Sequence, residues 1–114
     1  MDTYLAIDGD GHVIEGEELF RDYLPPQFRA RAPGPMLTEA GVRRFIYDGQ
    51  AHPPFPPEIS IRKPMAPADR LKVLEKERIW AAMLFPSGVL VGLYALPPDG
   101  ARALAEAYLD WIAD

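Results

Sequence analysis

A dense polar cluster follows the first apolar segment of the chain, in the run Asp8-Gly9-Asp10-Gly11-His12. Asp10 and His12 are two positions apart, so in extended backbone their side chains point to the same face. A carboxylate oxygen and an imidazole nitrogen are both good ligands for Zn²⁺ or Mn²⁺, although two ligands do not complete a site. The spacing alone favours an Asp/Gly-rich turn with a solvated histidine, and metal ligation by Asp10 and His12 is the alternative.

Two further polar residues could assist such a site. Glu15 could orient the His12 imidazole by binding it on the side away from the metal. It could equally be an acid that supports the start of a helix over residues 17–23. His52 lies between an alanine and two prolines, where an exposed side chain is the favoured interpretation and a third ligand the weaker one.

Two short apolar segments are expected to position these groups as buried strands. Residues 3–8 form the first and residues 79–85 the second, and a loop that contains glycine follows each. A helix over residues 70–78, capped by Asp69, is predicted before the second strand, and an amphipathic helix is predicted after Pro98. This order is typical of β/α units on a parallel sheet. We therefore expect about two neighbouring parallel strands with helices.

Pro86 and Ser87 follow the second predicted strand. Parallel strands present functional groups at their carboxyl ends, so both residues are expected on the same rim as Asp10 and His12, beside a bound substrate. A nucleophilic role for Ser87 is not favoured, because the sequence places no general base beside it.

The middle of the chain is rich in proline, with ten of the 13 prolines between Pro25 and Pro67. Proline lacks an amide donor and fixes φ, so we expect mostly irregular structure with at most a small hairpin around residues 42–51. The chain is then one incomplete domain of residues 1–114 in three parts: the first strand and metal-ligand loop (1–24), a Pro-rich insertion (25–67), and a helix, strand and helix (68–114).

Composition excludes several classes of protein. The 114 residues carry a net charge of -5 and include no cysteine, so disulfide scaffolds, zinc-thiolate sites and a general nucleic-acid coat are not expected. The longest uninterrupted apolar run has seven residues, from Ile79 to Phe85, too few to span a membrane. The N-terminus has no basic region that would indicate a signal peptide, and we expect a cytoplasmic protein.

Residues Ile7 to Glu15 resemble the first strand of the amidohydrolase-related superfamily, in the branch that contains aminocarboxymuconate-semialdehyde decarboxylase and the dihydroxybenzoate decarboxylases. The resemblance continues, in the order that the family uses, through Leu19 to Leu24, Arg70-Leu71, Leu84-Phe85-Pro86-Ser87 and Ala107 to Ile112. It therefore extends over nearly the whole chain.

The resemblance implies a metal-dependent (β/α)₈ TIM barrel, of which this chain carries the first units. By position, Asp10 and His12 match the two metal ligands that end the first strand in that family, where a divalent metal activates water or polarises a carboxylate-bearing substrate. The family also uses a histidine on a middle strand and an aspartate on a late strand, beyond the part that this chain matches. Arg78 and Trp80 depart from the pattern, which commonly has a glycine and a small or acidic residue there.

We therefore expect an N-terminal fragment of an amidohydrolase-like hydrolase or non-oxidative decarboxylase that acts on a small carboxylate or aromatic substrate. Two strands bury too little surface to close a barrel, so the chain alone is predicted to be inactive, to bind Zn or Mn weakly or not at all, and to associate with itself or with the rest of a barrel. The apolar face of the last helix is expected to lack the later strands of a barrel and to seek partners; its residues are Leu104, Tyr108, Trp111 and Ile112.

Two other functions can be compared with that of a metalloenzyme fragment. A non-catalytic remnant that binds a partner through its unpaired strand edge stays as the alternative. A metallophosphoesterase also begins with Asp-x-His after a strand, but the Gly-Asp and Gly-Asn-His elements of that class are missing, so this hypothesis is rejected.

Overall fold

The structure is a computed structural model that describes residues 3, 6–37, 41, 43–52 and 64–114. It is a mixed α/β structure with a small parallel sheet, a small antiparallel sheet and helices. The elements run in the order β1 (Ala6–His12), a π-helical turn (Leu19–Tyr23), α1 (Pro26–Arg29), β2 (Gly34–Leu37), β3 (Arg43–Tyr47), β4 (Gln50–Ala51), α2 (Pro67–Lys76), β5 (Ile79–Phe85), α3 (Gly88–Ala95) and α4 (Pro98–Ala113).

β1 and β5 are neighbouring parallel strands, which confirms the predicted pair. The register places Ala6 opposite Ile79 and His12 opposite Phe85. β1 continues to His12, so the prediction that it ends at residue 8 is wrong, and the polar cluster lies within the strand rather than in a loop after it. The extension is stabilised by pairing with β5, which continues past the strand end where the Val13 amide donates to the Phe85 carbonyl at 3.0 Å.

The prediction that both parallel strands are buried is wrong. Ile7 is 65% exposed, Trp80 67% and Met83 59%. Their apolar sequences are typical of a parallel sheet covered on both faces, whereas within the described residues α2 is the main helix that packs on β5. The two strands therefore present apolar side chains to solvent.

The Pro-rich segment contains more regular structure than predicted. β3 and β4 form the expected hairpin, with Asp48 and Gly49 at its turn, both at positive φ. β2 was not predicted, and it adds an antiparallel edge strand beside β3. Its Pro35 is tolerated because an edge strand has one row of amides without ladder partners. The proline run at residues 53–57 lies outside the described residues.

The helix before β5 has different ends from those predicted. Ala66 is the N-cap residue of α2, so Asp69 lies in the first helical turn instead of capping it. The helix ends at Lys76, and Arg78 adopts a left-handed conformation with φ 57° before β5 begins. α3 follows β5 and was not predicted.

The last helix confirms the prediction of an amphipathic segment after Pro98. Much of its apolar face is covered within the chain, because α4 packs on α3 and on the π-helical turn and buries Leu104 and Tyr108. Trp111 packs against the same core and donates its indole N–H to Glu18 at 3.1 Å. Of the four residues, Ile112 stays exposed.

The hydrophobic core lies between the antiparallel sheet, the π-helical turn, α3 and α4. Its most deeply buried members are Leu19, Phe20, Leu24, Tyr47, Val89 and Leu104. In the part of the chain that the structure describes, no helix is long and apolar enough to cross a membrane.

Candidate functional site

A β-bulge shapes the end of β1 where the polar cluster lies. Asp8 is opposite Ala82 and Gly11 is opposite Leu84, so β1 uses one residue more than β5 over this stretch. The Asp8 carboxylate accepts a hydrogen bond from the Asp10 amide at 3.0 Å, which supplies a partner for an amide that the bulge removes from regular pairing. The alternation of Asp and Gly thus folds locally into a bulge.

Gly11 and Arg70 fit closely together beside the bulge. A Cβ on Gly11 would lie 2.9 Å from the Met83 carbonyl oxygen and 3.1 Å from Nη2 of Arg70, so a larger residue would displace one of them. Nη1 of Arg70 donates to the His12 carbonyl at 3.0 Å and joins α2 to the end of β1. Sequence reasoning gave Arg70 no role, because nothing local to the helix indicates a contact with a residue 58 positions earlier.

Asp10 and His12 lie together at the carboxyl end of β1, as predicted. His12 Nε2 is 3.5 Å from Asp10 Oδ1, and the two side chains are 45% and 88% exposed. The other ring nitrogen, Nδ1, donates to the Pro86 carbonyl at 3.0 Å. A carbonyl oxygen can only accept, so the neutral imidazole carries its proton on Nδ1 and a lone pair on Nε2. In that neutral form, Nε2 and Asp10 Oδ1 lie 3.5 Å apart and each can offer a lone pair to a cation.

This spacing fits a shared cation. Two ligands on a tetrahedral Zn²⁺, with bonds of about 2.0–2.1 Å, would have donor atoms about 3.4 Å apart. Within the described residues, no group of three or more His, Asp or Glu side chains could hold a metal. Among the described residues, Asp10 and His12 could therefore supply only two of the ligands that such a site would need.

His52 belongs to the antiparallel sheet. Its ring packs against Tyr47, with centroids 5.7 Å apart, and its amide donates to the Phe45 carbonyl at 3.0 Å. These contacts explain its position by packing and backbone pairing.

Glu15 is fully buried and caps α3. Its carboxylate accepts hydrogen bonds from the amides of Ser87 at 2.7 Å, Gly88 at 2.9 Å and Val89 at 3.1 Å. It therefore supports the start of a helix 72 to 74 positions away, and it is Pro86 that accepts the hydrogen bond from His12 Nδ1.

Pro86 and Ser87 lie beside the candidate ligands, at the end of β5. The Pro86 carbonyl orients His12 directly, and the Ser87 hydroxyl donates to the Val13 carbonyl at 2.7 Å. Both residues therefore fasten the loop after β5 to the end of β1.

Two buried tyrosines, Tyr47 and Tyr108, lie close enough to Glu15 for its charge to act on their hydroxyl groups. Burial raises the pKa of Tyr47, and the negative charge of Glu15 raises it further. The same two causes, in the same order, raise the pKa of Tyr108, although Arg70 opposes them. Both hydroxyls donate to backbone carbonyls, Tyr47 to Gly88 at 2.7 Å and Tyr108 to Leu84 at 3.1 Å, so they act as protonated donors.

Comparison with known proteins assigns no family to the chain. It matches no protein-family model, and no curated protein matches it. The geometry of the Asp10–His12 pair and the residues that hold it are therefore the basis on which a function can be proposed.

Proposed function

We propose that the chain supplies the first β/α units of an amidohydrolase-like, metal-dependent (β/α)₈ barrel, in which Asp10 and His12 are two ligands of Zn²⁺ or Mn²⁺. One observation carries the proposal: His12 Nε2 lies 3.5 Å from Asp10 Oδ1, while the opposite ring nitrogen is engaged by the Pro86 carbonyl. Metal-binding histidines characteristically donate their other N–H to such a partner.

The position of the pair in the sheet also supports this function. The ligands lie at the carboxyl end of a parallel strand, where barrel enzymes assemble their active sites. The exposed side chains of Ile7, Trp80 and Met83 match a sheet that further strands and helices would cover.

A bound metal would activate water or polarise a carboxylate group, so a small carboxylate or aromatic substrate fits the proposal. The chain's own residues hold the ligands: Pro86 orients the His12 ring, and Arg70 fixes the His12 carbonyl. Catalytic zinc takes about three protein ligands, so these residues alone should bind the ion weakly and show no turnover. A cytoplasmic location is part of the same proposal and is supported by the cysteine-free composition.

A partner-binding module is the second candidate, and the exposed apolar side chains of the parallel strands favour it. It makes no use of the Asp10–His12 pair. The two functions therefore differ in whether the pair responds to a metal.

The direct test is imidazole NMR during a Zn²⁺ titration of the whole chain. His12 and His52 are its only histidines, so His52 serves as an internal reference. We expect Zn²⁺ to shift the His12 Nε2 resonance at concentrations above micromolar and to leave His52 unchanged. Asp10→Asn, which keeps the size of the side chain and removes its charge, should weaken the response about tenfold.

If millimolar Zn²⁺ does not shift the His12 resonance, or shifts the resonances of both histidines equally, His12 is not a specific metal ligand. Sub-micromolar binding that Asp10→Asn abolishes would mean that the site is complete in this chain and that the incomplete-barrel proposal is wrong.

A further inference from the structure

We infer that Glu15 is a positioning residue for His12, acting on it through the peptide group that joins Pro86 to Ser87. The inference deepens the proposed function, since it concerns the residue proposed there as a metal ligand. It differs from a direct Glu15–His12 contact, because Glu15 and His12 bind opposite edges of one planar peptide group.

The hydrogen bonds define this arrangement. The Pro86 carbonyl accepts from His12 Nδ1 at 3.0 Å, and the amide of Ser87, in the same peptide group, donates to Glu15 at 2.7 Å. A trans peptide is rigid and its C=O and N–H point in opposite directions. Fixing the amide on Glu15 therefore fixes the direction of the carbonyl that orients His12.

The charge of Glu15 adds to the geometric effect. A carboxylate bound to the amide polarises the peptide group and makes its carbonyl a better acceptor, and such chains of hydrogen bonds strengthen one another in a buried setting. Glu15 is fully buried, so this effect is screened little by solvent. The stronger acceptor favours the proton on Nδ1 and leaves Nε2 free for a ligand role.

Other contacts restrict the peptide group further. The Glu15 carboxylate also accepts from the Gly88 and Val89 amides, and the Ser87 hydroxyl donates to the Val13 carbonyl at 2.7 Å. The Glu15 carboxylate thus holds the start of α3 as well as the peptide group between Pro86 and Ser87.

The test compares Glu15→Gln with Val89→Ala, a buried α3 variant that lowers stability but keeps the backbone amide that binds Glu15. Glutamine has one acceptor oxygen, and its NH₂ group would face amide donors. The tautomer of His12 is measured by ¹⁵N NMR without metal, about two pH units above the ordinary histidine pKa of about 6.5. We expect mainly Nδ1–H in the unmodified chain, a several-fold lower Nδ1–H to Nε2–H ratio in Glu15→Gln, and no change in Val89→Ala.

The Zn²⁺ response of His12 is the second readout. Loss of such an outer partner typically weakens metal binding by about 10–100-fold, and we expect a loss in that range for Glu15→Gln. A mainly Nε2–H tautomer in the unmodified chain overturns the inference, as does a Glu15→Gln variant with unchanged tautomer, or an equal tautomer change in Val89→Ala.

If Glu15→Gln does not fold, Glu15→Asp takes its place, because it keeps the charge but withdraws the carboxylate from Ser87 by about one C–C bond, roughly 1.5 Å. It should lower the same tautomer ratio, and an unchanged ratio overturns the inference. Failure of the proposed function gives a different result from failure of this inference. Zn²⁺ would then not shift the His12 resonance of the unmodified chain, although the His12 tautomer would still depend on Glu15.

Discussion

The hydroxyl of Tyr47 donates a hydrogen bond to the carbonyl of Gly88 at 2.7 Å, so the antiparallel sheet is joined to the first residue of α3. The amide of the same glycine donates to Glu15. The Pro-rich segment is therefore more than an insertion between two strands. Through Tyr47 it packs behind the loop that orients His12.

Loss of this hydroxyl should destabilise the fold. Tyr47→Phe removes a buried hydrogen bond, which should cost about 0.5–1.5 kcal/mol. Urea denaturation of the whole chain measures the free energy of unfolding. Tyr94→Phe is the matched control, because Tyr94 is 85% exposed, and it should change stability by less than about 0.5 kcal/mol. Equal stabilities for the two variants would contradict a structural role of the hydroxyl.

Stability should also decline in alkali. Burial and the Glu15 charge raise the pKa of Tyr47 above the ordinary value of about 10, so above that pH the unfolded chain releases a proton that the folded chain retains. The stability contributed by this group is complete below about pH 10 and falls as the pH rises further, by up to about 1.4 kcal/mol per pH unit. Tyr47→Phe should show a shallower decline, with Tyr108 contributing the remainder in the same direction. An identical slope in both proteins would exclude this assignment.

Gly92 and Gly100 should respond oppositely to alanine. A Cβ on Gly92 would overlap the Leu104 side chain and lie 2.6 Å from the Tyr47 ring, whereas one on Gly100 would meet nothing closer than 3.4 Å. Overpacking costs about 1–3 kcal/mol, which exceeds the gain of up to about 1 kcal/mol in helix propensity. Thermal unfolding should therefore show a lower Tm for Gly92→Ala and an unchanged or higher Tm for Gly100→Ala. A stabilised Gly92→Ala would show that α3 and α4 are not closely packed there.

The exposed parallel strands should make the chain associate. Trp80 and Met83 present apolar surface on β5, and the strands have edges that can pair with another chain. Sedimentation should show association that increases with concentration and is reduced by Trp80→Lys. Tyr94→Lys, at an exposed aromatic residue on α3, is the control and should associate like the unmodified chain. A monomer at high concentration would favour a self-sufficient module.

Local sequence signals predicted the parts of the fold that depend on neighbours in the chain. Period-two alternation brought Asp10 and His12 to one face, and Asp48-Gly49 marked the hairpin. The same signals could not predict α3, because it is apolar on nearly all sides and lacks a helical period.

The supports of the candidate site were beyond sequence reasoning. The carboxylate of Glu15 and the guanidinium of Arg70 find their partners 72 and 58 positions away, and no local pattern specifies such pairings. Burial of β1 and β5 was predicted wrongly for a related reason. An apolar strand sequence shows that the strand can be buried, but whether it is buried depends on which other elements pack on it.

The backbone conformation of Arg78 is expected to cost free energy in the folded chain. Arg78 follows Glu77, the C-cap residue of α2, and adopts φ 57°, a conformation that glycine takes without the steric cost of a Cβ. A left-handed residue with a side chain costs roughly 1–2 kcal/mol, part of which is offset by the greater entropy of glycine in the unfolded chain. Arg78→Gly should therefore raise the free energy of unfolding by about 0.5–1 kcal/mol. Glu77→Gly is the matched control, because Glu77 has φ -84° and gains no relief, so it should be neutral or destabilising. A destabilised Arg78→Gly would mean that the arginine side chain contributes more than its backbone conformation costs.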